Sequence, residues 1–184
     1  MSGEGGPQRA PLLILSGPPG AGKTTLARRL AENADGATVH LHTDDFYGAI
    51  RTGFIPPWLE ASHRQNMTVT RVIVAAAAAY VQGGYRVIVD GVVGPWFVPA
   101  YRAEAARLGV DLDYVVLRAA LETATARVRD REIAPLPDYP AELLAKFFNL
   151  GDLEPHAIDT TSADIDALLA EIRAGVASGR FRLR

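Results

Sequence analysis

The sequence predicts an α/β domain built on a parallel sheet with helices on both faces. Three observations lead there. Short apolar runs alternate with segments of helical periodicity along most of the 184 residues, and such alternation implies βαβ crossovers. The first run leads straight into a glycine-rich loop that opens a helix. Several runs end in acids or hydroxyls, at the sheet edge where open α/β folds bind ligands.

Taken in order, residues 1–10 (MSGEGGPQRA) are polar and glycine-rich and read as a flexible tail, leaving 11–184 as a single domain. PLLILS (11–16) is a continuous apolar run, as a doubly covered parallel strand requires. Leu26 and Leu30 give 22–33 a helical stripe that stops at Asp35-Gly36. TVHLH (38–42) is the second strand; only one of His40 and His42 is expected to face the crevice. Ser62 and Gln65 form the pattern of a capping box, opening a helix that runs to about Gln82 and stops at Gly83-Gly84. YRVIVDG (85–91) is the third strand. Pro99 suits the first turn of a helix that ends near Gly109. LDYVVLR (112–118) is the fourth strand, followed by a helix over 121–131 that three prolines in IAPLPDYP (133–140) break. A helix is expected over 141–150 with Gly151 as its stop, then a fifth strand at HAIDT (156–160). Thr161 and Asp164 are placed to cap a last helix whose Ile165, Leu168, Leu169 and Ile172 share a face.

Composition narrows the function. The net charge of −2 argues against a general nucleic-acid binder or an acidic-membrane binder. With no cysteine, disulfides and thiolate metal sites are excluded, which suits a reducing cytoplasm. No apolar run reaches the length of a membrane span. Of 19 basic residues only Lys23 and Lys146 are lysines.

Gly17-Pro18-Pro19-Gly20-Ala21-Gly22-Lys23-Thr24 fits G-x-x-x-x-G-K-[ST], the phosphate-binding loop, with Thr25 next on the helix. The glycines let backbone N–H groups turn inward on a phosphate, Lys23 reaches the β- and γ-phosphates, and Thr24 offers a hydroxyl to Mg²⁺. The following helix turns its positive end to the same anion. The spacing is not the G-x-G-x-x-G of a dinucleotide site. No asparagine precedes either lysine, so the base-reading N-K-x-D of GTPases is missing. Asp90 ends the third strand, where an acid holds Mg²⁺; the alternative is an aspartate that starts a turn with Gly91. Asp44 and Asp45 end the second strand across the crevice, where one carboxylate can take a proton from an attacking hydroxyl. The alternatives there are a metal contact or an N-cap of the short helix that follows.

These features together, GPPGAGKT, the Asp pair, Asp90-Gly91 and an arginine-rich segment before a proline-rich lid, resemble the P-loop kinases of the nucleoside-monophosphate-kinase-like group. Within it they look most like chloramphenicol phosphotransferase-like, zeta-toxin-like and polynucleotide-5′-kinase-like AAA-type ATP-binding proteins. The resemblance spans about 11–175. It implies a three-layer P-loop NTPase fold with a five-stranded parallel sheet of order 2-3-1-4-5 and a small lid over about 129–140. It also implies Asp44 as general base with Asp45 as its neighbour. Arg127 and Arg131 of ARVRDRE would neutralise the transferring phosphoryl group, with Arg127 also at the nucleotide and Thr160 bordering the adenine; the plain alternative is a solvated basic helix face.

An acceptor pocket is expected from two segments, with Asp45, Tyr47, Arg51, Trp58, Trp96 and Arg102 as substrate contacts and Phe46, Phe54, Phe97 and Tyr101 beside them. Each aromatic could equally belong to the core. The expected activity is transfer of the γ-phosphoryl group of ATP, with Mg²⁺, to a hydroxyl of an antibiotic, sugar, nucleoside or nucleotide-sugar, by a monomer or homodimer. The alternatives are a polynucleotide 5′-hydroxyl kinase, which the net charge disfavours, and an ATPase or switch with no acceptor.

Overall fold

The computed structural model describes residues 12–129, 145–162 and 164–183. The tail over 1–10, the lid residues 130–140 and Arg131 lie outside them.

Five strands form one parallel sheet: β1 (Leu12–Ser16), β2 (Thr38–His42), β3 (Arg86–Asp90), β4 (Leu112–Arg118) and β5 (Ala157–Asp159). Their order is β2-β3-β1-β4-β5, as expected. Both faces of the sheet are covered, and β1 shows why its sequence is apolar throughout. Leu12 and Ile14 face one core with Val69, Ile73, Val74 and Ala77 of α3 (His63–Gln82) and Tyr101 and Ala105 of α4 (Val98–Arg107). Leu13 and Leu15 face the other, with Leu26 and Leu30 of α1 (Lys23–Glu32) and with Leu168, Leu169 and Ile172 of the last helix, Ile165–Ser178. Alternating side chains thus serve two cores, so no position of the strand can be polar until Ser16 at its end. Among the described residues no helix is long and apolar enough to cross a membrane.

Two short helices leave the strands at their C-terminal ends. α2 (Thr43–Gly48) follows β2 without a linker, and α5 (Leu121–Arg129) follows β4; the last helix is therefore α6.

The local signals at helix starts fail in an instructive way. Ser62 does precede α3, but its hydroxyl donates to the carbonyls of Pro57 (2.9 Å) and Leu59 (2.6 Å) and makes no capping bond. Gln65 turns outward and brackets Ile55, accepting from its N–H at 2.9 Å and donating to its carbonyl at 2.6 Å. A loop pinned to the helix has taken both halves of the expected box. At α6 the cap is Asp164 alone, which accepts from the N–H of Ala167. Thr161 instead bonds Asp159 through both its N–H and its hydroxyl.

Of the helix expected over 141–150, residues 141–144 lie outside the described residues, and 146–150 form turn and loop; Gly151 begins a 3-10 segment, Gly151–His156, that feeds β5. One feature had no sequence expectation. β5 pairs only with Val116, Leu117 and Arg118, leaving the first half of β4 open on that side. Residues 181–183 close it in antiparallel sense, with Tyr114 N–H donating to Phe181 O and Leu183 N–H to Leu112 O, both at 2.9 Å. Arg182 donates two hydrogen bonds to the buried carboxylate of Asp113, at 3.1 and 3.3 Å.

Candidate active site

The loop between β1 and α1 is packed so tightly that its composition is forced. Gly17 has φ 142°, and a Cβ placed on it would lie 2.2 Å from the carbonyl oxygen of Leu117 on β4. Gly20 has φ 79°, and its Cβ would meet the Ala124 carbonyl of α5 at 2.3 Å. Only glycine fits either place. Pro18, Pro19 and Ala21 complete the loop, with the Ala21 N–H closing a turn onto the Pro18 carbonyl. Gly22 caps α1, which begins at Lys23, so the helix N-terminus opens directly into the cradle. Lys23 is buried, and its Nζ donates to the Pro18 carbonyl at 2.9 Å. Thr25 is exposed on the first turn.

Thr24 points to β3. Its hydroxyl donates to Oδ2 of Asp90 at 2.7 Å. Asp90 is fully buried and lies in register with Leu15 of β1 and His42 of β2. Its other oxygen, Oδ1, accepts from Nε2 of His40 at 2.6 Å and from Nδ1 of His42 at 3.0 Å. The second nitrogen of His42 lies 3.4 Å from Oδ2 of Asp44. Asp44, His42, Asp90 and Thr24 therefore form one continuous polar chain from the mouth of the crevice to the phosphate loop.

The two histidines correct the expectation that only one could face the crevice. Side chains alternate along a strand, so residues two apart share a face; His40 and His42 both reach Asp90. The H-x-H spacing was the signal that could have found them.

The electrostatics follow the geometry. Burial works against the charge on Asp90, and the hydrogen bonds from His40, His42 and Thr24 outweigh it, holding its carboxyl below the usual carboxylate range. His42 is pushed up from 6.5 to about 10 by its contacts with Asp44 and Asp90. Of the two, the Asp90 contact is shielded, whereas the side chain of Asp44 is 76% exposed and water weakens that half. The same His42 contact holds Asp44 below its ordinary value. Neither aspartate caps α2: the N-cap position is His42 itself, and Asp44 and Asp45 sit in the first turn, where negative charge favours the helix.

The oxygen donors of Thr24 and Asp90 suit Mg²⁺. Among the described residues no group of three or more His, Cys, Asp or Glu forms a cage for a metal. A hydroxyl and one carboxylate suffice where nucleotide phosphates supply further oxygens.

The other expected residues divide. Thr160, only 2% exposed, donates to the Ala21 carbonyl at 3.0 Å, so it braces the phosphate loop from behind. Arg127 donates to the carbonyls of Thr160 (2.9 Å) and Thr161 (3.3 Å). Tyr47 and Trp96 are half-buried and pack against the α3–α4 core, as do Phe46 and Phe97, while Tyr101 is fully in it. Trp96 meets Phe147 edge-on at 5.6 Å, and Lys146 Nζ sits 5.4 Å from its ring centre. Trp58 is half-buried on the loop that Gln65 pins; Phe54, Arg51 and Arg102 are exposed.

Solved structures share this fold at low identity. A tunicamycin resistance protein from Deinococcus radiodurans superimposes with a TM-score of 0.70 at 20% identity, covering 91% of this chain and 96% of that one. A sugar kinase from Janibacter sp. HTCC2649 gives 0.68 at 16%, covering 91% and 95%. The Mycobacterium tuberculosis APS kinase CysC in complex with AMPPNP and APS gives 0.62 at 18%, covering 93% and 99%. No curated protein matches the sequence. Residues 12–146, which span the phosphate loop, the Asp pair and Asp90, match the family model described as AAA domain, and the chain belongs to that family.

Proposed function

We propose that this protein is an ATP- and Mg²⁺-dependent phosphotransferase that moves the γ-phosphoryl group to a hydroxyl of a small molecule. The observation that carries this is the polar chain from Thr24 to Asp44. A metal-suited pair, Thr24 and Asp90, is joined through His42 to an exposed carboxylate at the crevice mouth. A carboxylate there can take the proton of an attacking hydroxyl as the γ-phosphoryl group moves. The sugar kinase and the APS kinase among the fold relatives are in keeping with the reading.

In this scheme the N–H groups of Gly17–Thr24 and the Lys23 ammonium hold the β- and γ-phosphates. Thr24 and Asp90 hold Mg²⁺, which when bound supplies positive charge to the phosphate oxygens. Asp44, ionised at neutral pH, accepts a hydrogen bond from the acceptor hydroxyl, aims its oxygen at phosphorus and takes the proton as the new O–P bond forms and the bond from the γ-phosphorus to the bridging oxygen breaks, releasing ADP. A weakly basic carboxylate is adequate, because phosphoryl transfer passes through a loose transition state in which the nucleophile is little deprotonated. Arg127, with Arg131 from the lid, balances charge on the transferring group. Tyr47, Trp58 and Trp96, with Asp45, Arg51 and Arg102 around them, form the acceptor side.

The test is incubation with ATP and Mg²⁺ over a panel of sugars, nucleosides, nucleotide-sugars and hydroxylated antibiotics, with mass spectrometry for an added phosphoryl group. A product that appears with wild type and not with Asp44→Asn supports the reading. ATP binding with no phosphorylated product across the panel counts against it.

A further inference from the structure

The scheme above assigns no task to His40 and His42, yet they supply two of the three side-chain hydrogen bonds to Asp90. The sheet register fixes the backbone of Asp90 between β1 and β2. It does not fix the carboxylate, which can still rotate about its own bonds. Three donors remove that freedom. The two imidazoles both take Oδ1, and this leaves Oδ2 as the oxygen turned to Thr24. An imidazole also carries its two nitrogens on opposite sides of a rigid ring. His42 can therefore hold Asp90 with one and reach Asp44 with the other.

We propose that His40 and His42 are positioning residues: together they orient Asp90 so that Oδ2 is presented to the cation beside Thr24, and His42 alone ties that orientation to the placement of Asp44. The inference rests on Asp90 being a metal contact, as in the reading above. It goes beyond it by making an H-x-H strand the device that couples the metal acid to the base. Partners of this outer kind, which aim a ligand without touching the metal, typically alter metal affinity or activity by about 10- to 100-fold when removed.

The experiment compares wild type with His40→Gln, His40→Ala, His42→Asn and His42→Ala. Gln at 40 can place its amide near the native Nε2, and Asn at 42 can place its amide near the native Nδ1. Each conservative change thus keeps the Asp90 bond, while His42→Asn drops the reach to Asp44. Calorimetric titration with AMPPNP is done with and without Mg²⁺, alongside thermal unfolding of the free protein. This needs no acceptor, so a failure here is distinct from a failure to find a phosphorylated product. The expected result is that all four variants bind AMPPNP without Mg²⁺ within about twofold of wild type. The gain in affinity on adding Mg²⁺ should drop about tenfold or more in His40→Ala and His42→Ala, and be kept in His40→Gln and His42→Asn. With an acceptor found in the panel above, His42→Asn should also lower phosphoryl transfer about tenfold at unchanged KM for ATP, because Asp44 has lost its tie. An undiminished Mg²⁺ gain in both alanine variants overturns the proposal. So does an equal loss in the alanine and the conservative variants that tracks their melting temperatures, since that marks the histidines as packing only. Should the alanine variants fail to fold, a lost Mg²⁺ gain in His40→Gln and His42→Asn overturns it, and a kept gain in both upholds it.

Discussion

The hydroxyl of Thr160 donates to the carbonyl of Ala21 at 3.0 Å, joining the exit of β5 to the phosphate loop across 139 residues of sequence. Both groups are buried, so neither can turn to water if the other is removed. Thr160→Val keeps the shape and leaves the Ala21 carbonyl unpaired. It should destabilise the protein by about 1–2 kcal/mol and weaken nucleotide binding several-fold through a looser loop. Urea unfolding with an ADP titration checks this; wild-type values in both would show that the bond braces nothing.

Gly17→Ala sets a methyl group against the Leu117 carbonyl and strains a positive φ. We expect a loss of roughly 1–3 kcal/mol and nucleotide binding reduced beyond ready detection. Gly48→Ala, at the end of α2 with open space around it, is the matched control and should be neutral or slightly stabilising. The pair of melting temperatures decides the matter.

Asp44→Asn removes the carboxylate proposed to take the proton and leaves the phosphate loop untouched. Phosphoryl transfer should drop below about a tenth of wild type while AMPPNP binding is kept. Near-normal turnover would refute the assignment.

The free protein should lose stability as pH rises. His42 takes its proton more tightly when folded, at about 10, than when unfolded, at 6.5. Its contribution is complete below about 6.5 and is lost as pH climbs towards 10. Denaturant midpoints from pH 6 to 10 should therefore decline, and His42→Gln should flatten that slope. A wild-type curve that is level over this range would contradict the pairing.

Arg182→Ala leaves the carboxylate of Asp113 buried without its bidentate partner. A cost of about 2–4 kcal/mol is expected, well above that of an exposed pair. Arg107→Ala, whose partner Glu104 lies one turn away on the surface of α4, serves for comparison and should leave stability nearly unchanged.

What could be read from the sequence follows the reach of each signal. Leu12–Ser16 declared itself because a strand between two cores must be apolar at every position. The phosphate loop did so through Gly17, Gly22, Lys23 and Thr24 at fixed spacing, and at Gly17 the approach of the Leu117 carbonyl tolerates no other residue. The capping boxes misled because Ser62, Gln65 and Thr161 had better partners in the loops beside them. His40 and His42 were visible but misjudged, since two-residue spacing places them together. Their common target, Asp90, lies 50 and 48 residues away. The closure of β4 by 181–183 left no trace in local pattern, because it depends on how short β5 turned out to be.

That closure also dictates an order of events during synthesis. Gly17 packs on Leu117 near the C-terminal end of β4, while the opposite end of the same strand waits for Phe181 and Leu183, among the last described residues to be made. A ribosome can release the loop, the Asp pair and both histidines long before this edge is sealed. The nucleotide cradle thus exists as a length of chain well ahead of the finished sheet that holds it rigid. A nascent chain at that stage carries the motif without its frame.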